Sequence, residues 1–327
     1  MADLDVVGIG NALVDVLSRE SDAFLTAQRL TKGAMQLVDE GRAAELYAAM
    51  GPAMEVSGGS AANTIVGVAS FGGRAHYVGK VRDDQLGEVF RHDLAAVGVG
   101  YSTAPATTGP STGRCLIVVT PDAQRTLTTY LGASVHLGPA DVDRALIERA
   151  GILYLEGYLF DPPEAQRAFR TAADMAHAAG RKVALTLSDP FCVDRHRAAF
   201  RELVERHVDI LFANEVEIRS LYEAADFDAA LQQARRHCAV AALTRSELGS
   251  VVAAGDEIHA IDAHPVAQVV DTTGAGDLYA AGFMVGLSRG LDLATCGRLG
   301  SLAAAEVISH VGARPQTPLV ELARGLP

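Results

Sequence analysis

The chain has 327 residues, enough to bury a large core, and 49% of them are hydrophobic, as in a globular protein. Its 40 acidic residues outnumber 28 basic ones, and the net charge of -12 argues against nucleic acid or an anionic membrane as a general partner. The apolar runs are too short or too broken by charge and glycine to span a bilayer. Met1-Ala2-Asp3-Leu4-Asp5 has neither a basic region nor a cleavage pattern, so a cytoplasmic protein is expected. Four separated cysteines without a CxxC read as small core residues in a reducing compartment, and no HExxH or Cys/His cluster suggests structural zinc.

In chain order, Leu4–Ile9 reads as a central strand. Ala12–Leu17 and Ala34–Val38 read as strands of a partly exposed sheet, with a helix over Asp39–Met50. Gly8-Ile9-Gly10 begins like a dinucleotide fingerprint but lacks the third glycine. Ser57-Gly58-Gly59-Ser60-Ala61-Ala62-Asn63 allows a close backbone approach and opens a helix running to Phe71. Ala75–Val78 is a strand, Lys80 to Asp84 a polar turn and Gln85–Val97 a helix. After a Thr/Ser/Pro/Gly-rich stretch, Arg114–Thr120 and Arg125–Tyr130 form a hairpin through Pro121-Asp122-Ala123. With the early short strands they would build a small lid sheet, from about 12–38 and 99–130, outside the main one. An edge hairpin that covers nothing also fits.

Beyond Pro139 strand and helix alternate. Gly151–Leu155 precedes helix Pro163–Ala179, Lys182–Leu187 precedes Arg195–Arg206, and Val208–Phe212 precedes Glu215–Tyr222. A helix near Phe227–His237, strand Val240–Thr244 and the extended pieces Val251–Ala254 and Ile258–Ile261 follow. The spacing implies a mostly parallel sheet with helices on both faces, an α/β fold in a single domain. Ligands in such sheets collect beyond the strands' C-terminal ends, which places Asn11, Gly58, Glu156, Asp189, Asn214 and Asp277 on one edge.

The most informative stretch is Asp271-Thr272-Thr273-Gly274-Ala275-Gly276-Asp277. It reads as the turn between a strand at Val266–Val270 and a helix from Ala275 to Leu287, with a last helix from about Leu291 to Ser309. Free amides at a helix N-terminus favour an anion. A carboxylate there would repel a phosphate unless it had a use, and taking a proton from an attacking hydroxyl is such a use. In the plainer alternative, Asp271 and Asp277 only cap and start a helix.

Taken with Gly58-Gly59-Ser60-Ala61-Ala62-Asn63, Gly72-Gly73, Val78-Gly79-Lys80-Val81-Arg82-Asp83-Asp84-Gln85-Leu86-Gly87 and Asn214-Glu215-Val216-Glu217, this heptapeptide resembles the signatures of the ribokinase-like (PfkB-type) carbohydrate and nucleoside kinases, over nearly the whole chain. The resemblance implies a three-layer α/β/α sandwich with a β-sheet lid, and ATP as phosphoryl donor. Asp277 would be the general base, with Gly274, Ala275 and Gly276 supplying anion-hole amides. Asn11, Asp15, Gly58, Gly59 and Asn63 would bind the acceptor, although capping and turn formation also explain Asn11 and Asp15. Asn214 and Glu217 would organise Mg²⁺ through water. Thr244, Arg245, Gly249, Thr272 and Gly312 would border the nucleotide, with Gly249 displaced from the family's usual turn, so that Arg245 either holds a phosphate or faces water. A monovalent cation beside the anion loop is possible in this family. Thr112-Gly113-Arg114-Cys115, Pro121-Asp122-Ala123-Gln124-Arg125-Thr126 and Ser188-Asp189-Pro190-Phe191-Cys192-Val193 resemble bacterial adenosine-kinase-like members. That implies adenosine as acceptor, with ribose, fructose or another nucleoside as alternatives. Met35, Leu37, Tyr158, Phe160 and Phe191 could wall a base or equally be core. A monomer is expected, with a homodimer through the lid as the alternative.

Overall fold

The computed structural model describes residues 2–122 and 124–325. Ala123, in the expected hairpin turn, lies outside them. The described strands are β1 (Leu4–Ile9), β2 (Leu13–Arg19), β3 (Met35–Leu37), β4 (Ala53–Gly58), β5 (Ala75–Val78), β6 (Gly100–Tyr101), β7 (Gly113–Val119), β8 (Arg125–Tyr130), β9 (Ala150–Glu156), β10 (Lys182–Thr186), β11 (Ile210–Asn214), β12 (Val240–Thr244), β13 (Ser250–Ala254) and β14 (Glu257–Ile261).

The larger sheet runs β14-β13-β12-β11-β10-β9-β1-β5-β6. It is parallel from β12 to β6, and β13 and β14 add an antiparallel edge. Alternate residues of β1 enter different cores. Val6 packs in the cluster that includes Leu278, Ala281 and Val307, and Val7 and Ile9 pack in the one that includes Phe169, Leu203 and Leu231. A strand buried on both faces needs an unbroken apolar run, which is why the central strands read so clearly. Helices Ser60–Ser70, Ala275–Ser288 and Leu293–Ile308 cover one face, and Pro163–Ala178, Pro190–His207 and Phe227–His237 cover the other. This is the expected three-layer ribokinase-like sandwich. All four cysteines are buried and unbridged. No helix among the described residues is long and apolar enough to cross a membrane.

The smaller sheet runs β3-β8-β7-β2-β4. Val14, Val16, Leu116 and Val118 line the face packed against Leu25 and Leu46 of two short helices and Leu30 of the segment between them. Strand register puts Asp15, Cys115, Thr129 and Leu37 in one row of the opposite face, with Leu17, Ile117, Leu127 and Met35 in the next. This sheet takes in β4, outside the two expected stretches, whereas Gly100–Tyr101 joins the larger sheet. Between β2 and β3 the polar stretch contains a helix, Asp22–Ala27, capped by Ser21.

One expected strand is absent. Val266–Val270 is not a strand, because the large sheet already ends at β14 and the chain crosses back over helix Leu293–Ile308. There the amides of Val270 and Asp271 donate to the Ile308 carbonyl at 2.8 and 3.3 Å.

Candidate active site

The anion loop forms where that crossing segment turns into helix Ala275–Ser288. Gly274 caps the helix in the left-handed region (φ 82°), with Ala313 so close that an added Cβ would lie 2.9 Å from its methyl. The Ala275 amide is taken by the Thr272 carbonyl at 3.2 Å. Of the three residues assigned anion-hole amides, Ala275 is therefore already bonded. The amides of Gly276 and Asp277 have no intrahelical acceptor, as at any helix start. Nothing lies within 4 Å of where a Gly276 Cβ would stand. The loop thus presents donors to open space.

Asp277 follows in the first turn and is half-buried. Ser60 Oγ donates to its Oδ1 at 2.6 Å and Asn63 Nδ2 to its Oδ2 at 3.1 Å. Burial pushes the carboxyl up to about 6, against those two bonds and the charge of Arg314. A carboxylate with that affinity is mostly ionised at neutral pH and still able to take a proton. The Oδ1 of Asn63 is buried and unbonded among the described residues.

Asp15 lies beside it on β2. Its carboxylate rests on Gly58, where a Cβ would be only 2.3 Å away, so position 58 accepts nothing larger. Gly59 (φ 99°) brings the start of helix Ser60–Ser70 within 2.2 Å of the Asn11 carbonyl by the same measure. Burial pushes Asp15 up to about 6, with Arg314 and Arg125 opposing, and no donor contributes to holding it down. A half-buried carboxylate without donors is costly unless a ligand provides them. Asn11 differs. Its backbone N and Nδ2 both donate to Glu156 Oε1, at 3.1 and 2.8 Å, and its Oδ1 accepts from Ser134 Oγ at 2.9 Å. Glu156 also takes the Ala61 amide at 2.7 Å and is pushed up to about 7 by burial. Asn11 is therefore a strut, and Glu156, placed on the strand-end edge without a role, is the post it leans on.

Two arginines complete the site, neither visible as a site residue in sequence. Arg125 of β8 pairs with Asp271 at 2.7 Å, both side chains being under 10% exposed, and donates to Thr273 Oγ1 at 3.1 Å. Asp271 also holds the Thr273 hydroxyl at 2.7 Å and the Gly312 amide at 2.9 Å. The Nε and Nη2 of Arg125 are buried and unbonded among the described residues. Arg314, just past Gly312 (φ 111°), donates to the carbonyl and hydroxyl of Ser57.

At the neighbouring strand ends, Asn214 and Glu217 form a reciprocal cap. Asn214 Nδ2 donates to Glu217 Oε1 at 2.6 Å, the Asn214 amide to Oε2 at 2.9 Å, and the Glu217 amide to Asn214 Oδ1 at 2.9 Å. Burial pushes Glu217 up to about 7, with Asp189 and Asp277 adding to the rise, so the cap sits within electrostatic reach of the loop. No group of three acidic, histidine or cysteine side chains suited to a metal exists among the described residues. Thr244 pairs with Asn214 across β11 and β12. Arg245 is tied to Glu215 at 3.0 Å and lies 4.3 Å from the centre of the Phe227 ring, so its charge is engaged inside the protein. Gly249 (φ 80°) closes the β12–β13 turn against the Ile261 carbonyl, which accounts for it structurally. Thr272 is exposed at the loop rim.

The sequence matches the model of the pfkB family of carbohydrate kinases over residues 37–319. A crystal structure of adenosine kinase from Sinorhizobium meliloti is 52% identical and superposes with a TM-score of 0.92, covering 100% of both chains. A "probable sugar kinase protein" from Rhizobium etli CFN 42 is 50% identical with a TM-score of 0.92, over 99% of this chain and 98% of that one. Adenosine kinase of Saccharomyces cerevisiae is 27% identical across 94% of this chain and 95% of its own length.

Proposed function

Because the chain belongs to the pfkB family of carbohydrate kinases, we propose that it transfers the γ-phosphoryl group of ATP to the 5′-hydroxyl of adenosine, giving AMP and ADP. One observation carries the choice of acceptor. The site-facing surface of the smaller sheet carries polar groups at Asp15, Thr129 and Arg125, and next to Asp277 neither Asp15 nor the Asn63 Oδ1 has a donor among the described residues. Away from it, Leu17, Ile117, Leu127, Met35 and Leu37 continue the same face, and Met35 and Leu37 are 53% and 56% exposed. A ribose with its hydroxyls on Asp15 and Asn63 would lay a flat, largely apolar base along that row. A free sugar would leave it wet.

In this reading Asp15 accepts two ribose hydroxyls and Asn63 positions a third group beside the base. Asp277 receives the proton as the acceptor oxygen attacks, and the amides of Gly274, Gly276 and Asp277 hold the phosphoryl oxygens where charge develops. Arg125 would offer its two unbonded nitrogens, Nε and Nη2, to the same anion while Asp271 holds its charge in place. The smaller sheet acts as a lid that excludes water from the transfer. Asn214 and Glu217, bonded to each other, offer Mg²⁺ no direct ligand pair but can hold it through its waters, as that ion prefers. Bound there with ATP, Mg²⁺ would supply neutralisation of phosphate charge. A monomer is the working unit in this reading, with a homodimer through the smaller sheet as the alternative.

The test is a parallel measurement of kcat/KM for adenosine, inosine, guanosine, cytidine, ribose and fructose with Mg·ATP. Adenosine should lead, and its product should carry phosphate at the 5′ position. Ribose or fructose exceeding adenosine by about tenfold, more than a missing apolar contact accounts for, would overturn the acceptor while leaving the kinase.

A further inference from the structure

Arg314 has no part in the chemistry above, yet it lies where the smaller sheet, the catalytic helix and the C-terminal segment meet. Its Nη2 donates to both oxygens of Ser57, which is 1% exposed and is the residue before Gly58, the last of β4. From the other side, Ser57 donates its amide and hydroxyl to Asp93 of helix Gln85–Ala96, at 2.8 and 2.5 Å. The loop carrying Arg314 is braced from behind. The Gly312 amide is held by Asp271, and the amides of Gln316 and Thr317 donate to the buried Glu306 at 2.9 and 2.8 Å. The Arg314 Nε is buried and unbonded among the described residues, so a fixed chain places a guanidinium that is only partly satisfied. Ser57 leads directly to Gly58, on which the Asp15 carboxylate rests, and to Ser60, which holds Asp277, so the guanidinium stands beside both acids. The charged and titratable groups acting on it are Asp93, Asp15 of β2, Asp277 and Tyr77 of β5. Asp15 is also faced by Arg125, and Asp277 faces Glu156 and Glu217.

We propose that Arg314 is a positioning residue that keeps Asp15 and Asp277 ionised together in one desolvated pocket, making acceptor binding and proton removal available at the same pH. The proposal rests on the reading of Asp277 as base. Two carboxylates sharing a water-poor site tend to share a proton, and a guanidinium, which stays charged at any working pH, prevents this. Arg314 is among the influences holding down each of the two acids, which burial would otherwise raise further.

The acid limb of the kcat/KM profile reports these acids in the free enzyme, as a coupled pair. Arg314→Gln should move that limb up by about one pH unit, the lower end of what a close opposite charge contributes. Arg314→Lys should leave it near the wild-type position even if kcat falls, and Ser57→Ala, which removes two hydrogen bonds but no charge, should not move it. An unmoved limb in Arg314→Gln, with activity lost at every pH alike, would mean that Arg314 only braces the fold. Should that variant not fold, Arg314→Gln is combined with Asp93→Asn, which also removes one of the carboxylate charges that Arg314 offsets. Its limb must then lie above that of Asp93→Asn alone, and coincidence of the two overturns the proposal. Asp277→Asn measured alongside separates the two claims. Near-normal turnover there removes the base, whereas a fixed limb in the Arg314 variants removes only Arg314.

Discussion

At Asp277, burial raises proton affinity while Ser60, Asn63 and Arg314 oppose it, leaving a carboxylate at about 6. Asp277→Asn keeps the shape and the oxygen that accepts from Ser60 but cannot take a proton. We expect kcat to fall by at least about a hundredfold, the usual size of a general-base contribution, while the acceptor Kd measured by calorimetry stays within a few-fold of wild type. Turnover close to normal would remove Asp277 from the chemistry. The sequence marks this residue because its neighbours are local: glycines and a helix start surround it within seven positions. Asn11 and Glu156 lie 145 residues apart, so their bond is invisible until β1 and β9 pair. Arg125 and Arg314 reach across 148 and 257 residues to their partners, and no spacing rule marks a lone arginine for such a role.

At the scale of elements, the long central strands were legible because each is apolar on both faces. The errors fall where packing overrides local pattern. Ala53–Gly58, with a glutamate at its centre and no continuous apolar run, is a strand only because β2 offers it an edge. Val266–Val270 has strand-like residues but lies against a helix, with Val269 53% exposed. How the smaller sheet is held over the loop was equally illegible. It depends on the Arg125–Asp271 pair, whose side chains are 9% and 8% exposed. A buried pair broken on one side leaves its partner uncompensated, so Arg125→Met should loosen this sheet as well as weaken transition-state binding. We expect kcat to drop by at least about tenfold, below the cost of losing one oxyanion donor. Amide hydrogen exchange in β7 and β8 should also quicken without substrate. Unchanged exchange together with normal turnover would show that the arginine neither ties the sheet nor serves the reaction.

Across the whole molecule, the site places four carboxylates where burial raises them: Asp15 and Asp277 to about 6, Glu156 and Glu217 to about 7. In the unfolded chain the same groups ionise near the ordinary carboxylate value of about 4. Between about pH 4 and 7 the folded protein therefore holds more protons than the unfolded one, and stability must fall as pH rises through that window. Groups shifted the other way act elsewhere. Asp122, drawn down to about 2 by Lys32 and Thr120, loses its contribution only as pH falls below about 4. His76, lowered by burial, opposes the trend near pH 6, as one group against four. The ligand-free protein should accordingly melt a few degrees higher near pH 5.5 than near pH 7.5, by calorimetry at constant ionic strength. An acceptor whose hydroxyls donate to Asp15 would favour its ionised form, so the rise in melting temperature caused by saturating adenosine should be larger at pH 7.5 than at 5.5. A ligand-free melting temperature that climbs steadily from pH 5.5 to 7.5 would mean that these carboxylates are not desolvated as the fold places them.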